Sequence, residues 1–202
     1  MRTKRALKAA ALIAAAVVLG LFTVQGTFAL WNASAVAAPG TVSAASFDVA
    51  LTAVNSGATT NMTLANGTPA NLALSPAGTL GPGTSVSGGV VVTNNTNAGG
   101  QFNTTITVGQ PTVANSGSGT LASYIIVNSK TAASTTECSS STGYAQISTS
   151  GLVSPTLGKG GSTIFCFQVS LASGAPSTVK GQAVTITLPL TARQLCGVPS
   201  GC

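Results

Sequence analysis

Histidine is absent from the 202-residue sequence, and carboxylate side chains are almost absent, since Asp48 and Glu137 are the only two. Proton transfer at neutral pH depends most often on histidine, and otherwise on a perturbed carboxylate. Zinc sites use histidine or closely spaced cysteines, and calcium sites need several carboxylates. These absences exclude most classes of enzyme. We therefore expect a non-enzymatic protein with no catalytic residue, no metal ion and no cofactor.

Charge of either sign is scarce as well, because charged residues make up only 5% of the chain. Four of the eight basic residues lie within residues 2–8, and the other four are spread over residues 130–193. Nucleic-acid binding requires clustered cations that neutralise phosphates, so we expect no nucleic-acid partner. Low charge combined with high β-propensity leaves sheet edges poorly protected against pairing with another chain. Self-association is therefore expected.

The first 29 residues have the three parts of an export signal. A basic segment over residues 2–8 precedes a stretch rich in Ala, Leu and Val over residues 9–22. Thr27-Phe28-Ala29 then supplies the small-x-small pattern that signal peptidase cleaves. We expect cleavage between Ala29 and Leu30, contact with the membrane only during export, and a secreted protein in the extracellular space or at the cell surface.

Two alternatives to this cleavage stay open from the sequence. An apolar stretch can be traced loosely over residues 9–30, which would be long enough for a transmembrane anchor, although Gln25 and Gly26 interrupt it. A second small-x-small pattern, Ala35-Val36-Ala37 or Val36-Ala37-Ala38, would place the mature N-terminus at about Pro39.

Beyond the signal, apolar and polar residues alternate, which is the period of a half-buried β-strand. The alternating segments are residues 47–51, 102–108 and 184–190. Further apolar, β-branched runs occupy residues 86–93, 124–128 and 162–171. Turn residues rich in Gly, Pro and Asn separate these segments.

The last of these runs, residues 162–171, is apolar on both faces, so we expect it to be a central strand. Pro189 cannot donate a ladder hydrogen bond, so the segment around it should lie at an edge or end there. About seven or eight strands in all predict an all-β fold, a two-sheet β-sandwich of jelly-roll or immunoglobulin-like type. The prediction is one such domain over residues 46–202, following a helical N-terminal signal peptide over residues 1–29 and an arm over residues 30–45.

The four cysteines fit an exported protein, because disulfides persist in oxidising compartments. They are Cys138, Cys166, Cys196 and Cys202. Of the three possible pairings we favour Cys138 with Cys166 and Cys196 with Cys202, because the turn-rich residues between the last two allow that loop to close on itself. No C-x-x-C pair is present, so four-thiolate zinc binding is not expected.

The residues around the cleavage site form a recognisable pattern. Gly26-Thr27-Phe28-Ala29-Leu30-Trp31-Asn32 precedes a strand at Ser46-Phe47-Asp48-Val49-Ala50-Leu51, and Leu80-Gly81-Pro82-Gly83 precedes an apolar run that ends in Asn94-Asn95. This opening resembles that of proteins exported with the SipW-type alternate signal peptide, a family that includes TasA and camelysin. The rest of the chain is loosely similar to cysteine-bearing actinobacterial relatives. Departures from the family pattern are Asn32, in place of an acid, and Ala45 or Ser46, in place of glycine.

The resemblance implies a secreted β-sandwich of the cell surface or biofilm matrix, in some members a fibre subunit whose N-terminal strand completes the sheet of the next subunit. The residues favour the same mechanism, because cleavage at Ala29 would place the only tryptophan, Trp31, on an arm rich in Asn, Ala, Ser and Gly. The expected assembly residues are Leu30, Trp31, Val36, Phe47, Val49 and Leu51. The alternative function is a monomeric cell-surface adhesin or binding module.

Overall fold

The computed structural model of the protein describes residue 8 and residues 10–19, 46–74, 79–97 and 102–195. The chain divides into two units, Met1–Ser43 and Ala44–Cys202, each described by itself below. In the first unit, residues 10–19 form an α-helix with exposed side chains, which agrees with the helix expected there. Among the described helices, none combines the length and apolar character that a membrane span requires. The expected cleavage site at Ala29 and Leu30 lies outside the described residues.

The second unit is an all-β sandwich, as the alternating sequence pattern predicts. Eleven strands lie within the described residues, and every pairing between them is antiparallel. They are β1 (Val49–Ala53), β2 (Thr59–Asn61), β3 (Ser85–Asn94), β4 (Thr104–Val108), β5 (Thr112–Asn115), β6 (Ile125–Ala132), β7 (Ala145–Gln146), β8 (Leu152–Val153), β9 (Ser162–Leu171), β10 (Val184–Thr187) and β11 (Leu190–Gln194). Short 3₁₀ helices occupy Leu121–Tyr124, Thr135–Ser139 and Ser177–Val179.

The strands form one large sheet and two small ones. The large sheet has six strands in the order β2-β1-β3-β9-β6-β7, and the others have the orders β11-β4-β8 and β10-β5. Apolar side chains of β1, β3 and β9 pack against those of β4 to form the main core, because alternate residues of each strand point to the same face. Its buried members are Val49, Leu51, Val90, Val92, Ile106, Val108, Ile147, Leu157, Phe165 and Phe167.

Strand β9 is the central strand expected from its two apolar faces, and its bounds match residues 162–171. It pairs with β3 on one side and with β6 on the other. Phe165 and Phe167 face the main core, whereas Ile164 and Cys166 belong to a second apolar cluster on the outer face of the sheet. Cys138 contributes to that cluster from the 3₁₀ helix Thr135–Ser139, which explains why neither face of β9 is polar.

The C-terminal alternating segment divides into two strands at Pro189, as its missing N–H donor predicts. Strand β10 pairs with β5, and β11 pairs with β4 after the proline. The alternation continues through the break, with Ile186, Leu188 and Leu190 half-buried and the residues between them exposed. The fold also contains four strands that the sequence pattern does not indicate, namely β2, β5, β7 and β8, all of them four residues or shorter.

Candidate functional site

Backbone and side-chain hydrogen bonds fix the point at which the chain joins the sandwich. The Ser46 amide donates to Asn97 Oδ1 at 2.8 Å, and the Asn95 amide donates to the Asp48 carbonyl at 2.9 Å. Thr96 Oγ1 lies 3.4 Å from both the amide nitrogen and the carbonyl oxygen of Asp48. The residues just before β1 are thus held by the segment that follows β3, so the place where the N-terminal arm connects to the domain is defined.

Asn94 supports this arrangement from inside the protein, since its side chain is fully buried. Its Nδ2 atom donates to the carbonyls of Phe102 at 2.8 Å and Leu157 at 3.1 Å, and its Oδ1 atom accepts from the Thr96 amide at 3.2 Å. A buried amide that satisfies three backbone groups rigidifies the segments that carry them. In the sequence Asn94 only marks the end of an apolar run, and its role as a buried amide is visible only in the structure.

The expected assembly residues fall into three groups. Val49 and Leu51 lie in β1 with exposed fractions of 3% and 6%, and β1 pairs with both β2 and β3, so these two residues belong to the core of their own domain. Phe47 precedes β1 and is 45% exposed. The other three expected residues, Leu30, Trp31 and Val36, lie outside the described residues.

Strand β11, which lies at one end of the three-stranded sheet, is close to the start of β1. A cavity of about 260 Å³ is lined on one side by Phe47-Asp48-Val49 and on the other by Leu190-Thr191-Ala192 of β11. Among the strands at the ends of the three described sheets, β11 is the longest at five residues. The connection to the N-terminal arm and a strand that ends a sheet are therefore neighbours across this small cavity.

A larger cavity of about 550 Å³ lies between the six-stranded sheet and the C-terminal strands. Side chains of β3, β6 and β9 form one wall, residues 186–190 form another, and the extended segment of residues 69–74 forms the third. Among the described lining residues, Asn71 and Thr187 alone have side chains with nitrogen or oxygen atoms, and both are exposed. No pattern in the sequence indicates this cavity.

Cys138 and Cys166 form a disulfide, which confirms that part of the predicted pairing. Both residues are buried, and Gly89 allows this close packing, because a Cβ atom there would lie 2.9 Å from Cys138 Sγ. The predicted partners Cys196 and Cys202 lie outside the described residues. A disulfide in the domain is compatible with an extracellular location.

The two carboxylate residues lie next to elements of secondary structure, Glu137 at the start of a 3₁₀ helix and Asp48 just before a strand. Glu137 Oε1 accepts from the Ser134 amide at 3.1 Å and completes a capping box at the start of the 3₁₀ helix Thr135–Ser139. Asp48 precedes β1. In the part of the chain that the structure describes, no three side chains of His, Cys, Asp or Glu are grouped so that they could hold a metal ion.

Comparison of the chain with protein-family models, with curated proteins and with solved structures finds no match.

Proposed function

We propose that the protein is a secreted, non-enzymatic structural protein of the cell surface or biofilm matrix, and that its subunits assemble by exchange of the N-terminal strand. The observation that carries this proposal is the position of Phe47-Asp48-Val49, which follow the arm in the sequence. These residues line a small cavity together with Leu190–Ala192 of β11, a strand at one end of the three-stranded sheet. An extended segment can add to such a strand through main-chain hydrogen bonds.

The scarcity of charge supports association at this edge. Residues 30–45 carry no charged side chain, and β11 carries only Arg193. Natural sheets protect their end strands with charges, prolines or bulges, so an edge with few charges is suited to pairing with another strand. An arm attached next to the edge can pair with its own domain or with that of a neighbour, and the second arrangement links subunits into a chain.

Secretion is supported by two independent features. The basic and apolar residues 2–22 have the composition of an export signal. The Cys138–Cys166 disulfide is compatible with an oxidising compartment, in which disulfides persist.

The assembly proposal is tested by light scattering and negative-stain microscopy on two oxidised chains at rising concentration. One chain begins at Leu30 and the other at Ser46, so they differ only in the arm. We expect filaments or large assemblies from the longer chain and a folded monomer from the shorter one. Assembly of both chains would show that the arm is dispensable, and two monomeric chains would contradict assembly altogether.

A monomeric cell-surface binding module is the second candidate function. The observation that favours it is the cavity of about 550 Å³, whose size is within the usual range for ligand pockets of about 300 to 1,000 Å³.

A further inference from the structure

We propose that the larger cavity binds one single-chain amphiphile with an uncharged head group, such as a long-chain alcohol or a monoacylglycerol. This inference does not depend on strand exchange, because a monomer and a fibre subunit could both hold such a molecule. It rests on the size of the cavity, on the chemistry of its walls and on the residues at its mouth.

The size of the cavity requires an explanation. Protein interiors are close-packed, and voids larger than a water molecule are few. Here about 550 Å³ is not filled by the described residues, although Val90 and Phe167, which belong to the main core, also line the cavity. The cavity therefore borders the main core, because both share these side chains.

The wall formed by the six-stranded sheet is suited to hydrocarbon more than to peptide. Strand β9 pairs with β3 through nine residue pairs and with β6 through eight, so the backbone polar groups of this wall are used within the sheet. A peptide that entered the cavity would need partners for its own N–H and C=O groups, and burying these without partners is unfavourable. A hydrocarbon chain carries no such groups, and the side chains that it would meet include Val127, Phe167 and Val169.

The mouth indicates the kind of head group. Asn71 and Thr187, the two polar residues among the exposed part of the described lining, offer an amide and a hydroxyl, which can donate to or accept from a neutral head group. None of the described residues that line the cavity is charged, so a carboxylate or phosphate at the mouth would have no cation among them. A hydroxyl head group is therefore favoured over the carboxylate of a fatty acid of the same length.

The test is a titration of the purified secreted protein with straight-chain primary alcohols of increasing length, followed by calorimetry. We expect one alcohol per chain, an affinity that rises about fourfold with each added methylene until the cavity is full, and no further rise beyond that length. The carboxylate of equal length should bind more weakly. The absence of binding would overturn the proposal, including the case in which other residues of the chain occupy the cavity. An affinity that keeps rising with chain length, or a stoichiometry other than one alcohol per chain, would overturn it as well.

A pair of variants locates the binding. Val127→Phe enlarges a buried side chain of the cavity wall, and Val153→Phe makes the same change at a residue that is 52% exposed and lies outside the lining. We expect the first variant to weaken binding of the longest alcohol at least tenfold and the second to leave it unchanged. Should Val127→Phe fail to fold, Ala70→Leu fills the same space from the opposite wall. Equal binding by the wall variant and the control would contradict the assignment of this cavity.

Discussion

The ammonium nitrogen of Lys130 lies 4.4 Å from the centroid of the Tyr144 ring, so a cation on β6 packs over an aromatic ring that follows the 3₁₀ helix Thr135–Ser139. The same nitrogen donates to the Thr142 carbonyl at 2.7 Å. The Tyr144 hydroxyl in turn donates to the Cys138 carbonyl at 2.7 Å. Together with the disulfide, these contacts hold residues 133–144, here called the outer loop, to the outer face of the six-stranded sheet.

Replacing Lys130 tests how much its polar contacts contribute. Lys130→Met keeps most of the aliphatic chain but removes the cation–π contact and the hydrogen bonds to the carbonyls of Ser140 and Thr142. We expect the free energy of unfolding in urea to fall by about 1 kcal/mol. Lys180→Met, at an exposed lysine, is the matched control and should have little effect. Equal losses from the two variants would contradict a specific role for Lys130.

The disulfide should contribute more to stability than the lysine does. Cys138 and Cys166 are separated by 28 residues, and closing a loop of that length stabilises a fold by about 3 to 4 kcal/mol in the chain-entropy description. The double variant Cys138→Ser/Cys166→Ser should therefore unfold at a clearly lower urea concentration than the oxidised protein. The reduced wild-type protein provides the comparison and should be destabilised at least as much, because reduction also opens the predicted Cys196–Cys202 bridge. Unchanged stability in both would show that packing alone holds the outer loop.

Ionisation of Tyr144 should lower the free energy of unfolding at alkaline pH. Burial raises the pKa of Tyr144 above its ordinary value of 10.0, and a hydrogen bond with Ser87 opposes that shift only partly. The unfolded chain therefore loses the phenol proton at a lower pH than the folded chain. The associated stability is fully present below pH 10.0 and is lost as the pH rises through the higher pKa of the folded protein.

This effect is measured as the difference in unfolding free energy between wild type and Tyr144→Phe, from about pH 8 to about pH 11. The variant keeps the ring that faces Lys130 but has no proton to lose. The stability advantage of the wild type should be largest at the lower pH values and should shrink above pH 10.0. A difference that stays constant over the whole range would refute the pKa shift.

The sequence predicts well those strands in which the apolar or polar character of each face matches the burial of that face in the fold. Residues 162–171 are apolar on both faces because the core lies on one side and the outer loop on the other, so the bounds of β9 could be predicted. Strand β6 continues to Ala132, beyond the predicted end at Asn128, because pairing with β9 holds a polar segment in the sheet. The alternation of apolar and polar residues cannot indicate a strand that is stabilised mainly by pairing with a neighbouring strand.

The candidate site was predictable only in part. The Cys138–Cys166 pairing and the burial of alternate residues in β1 follow from local sequence. The larger cavity does not, because it depends on how the side chains that line it, among them Val169 and Leu188, are placed relative to one another in the folded domain. The roles expected for Leu30, Trp31 and Val36 stay predictions from the sequence.

The buried amide of Asn94 should be among the most sensitive positions in the domain. Asn94→Ala would leave the carbonyls of Phe102 and Leu157 without a side-chain donor and the Thr96 amide without its acceptor. Unsatisfied buried groups are costly, so we expect a loss of about 2 to 3 kcal/mol in the free energy of unfolding.

The control for this prediction is Asn61→Ala, at an exposed position of β2, which should change the unfolding free energy by less than about 0.5 kcal/mol. Because Thr96 also contacts Asp48, the Asn94 variant should in addition speed amide hydrogen exchange at Ser46 and Asp48, whose amides donate to Asn97 and Thr96. Loss of stability without faster exchange there would show that Asn94 supports the core but not the point at which the N-terminal arm joins the domain. Equal stability of the two variants would show that the buried amide is dispensable.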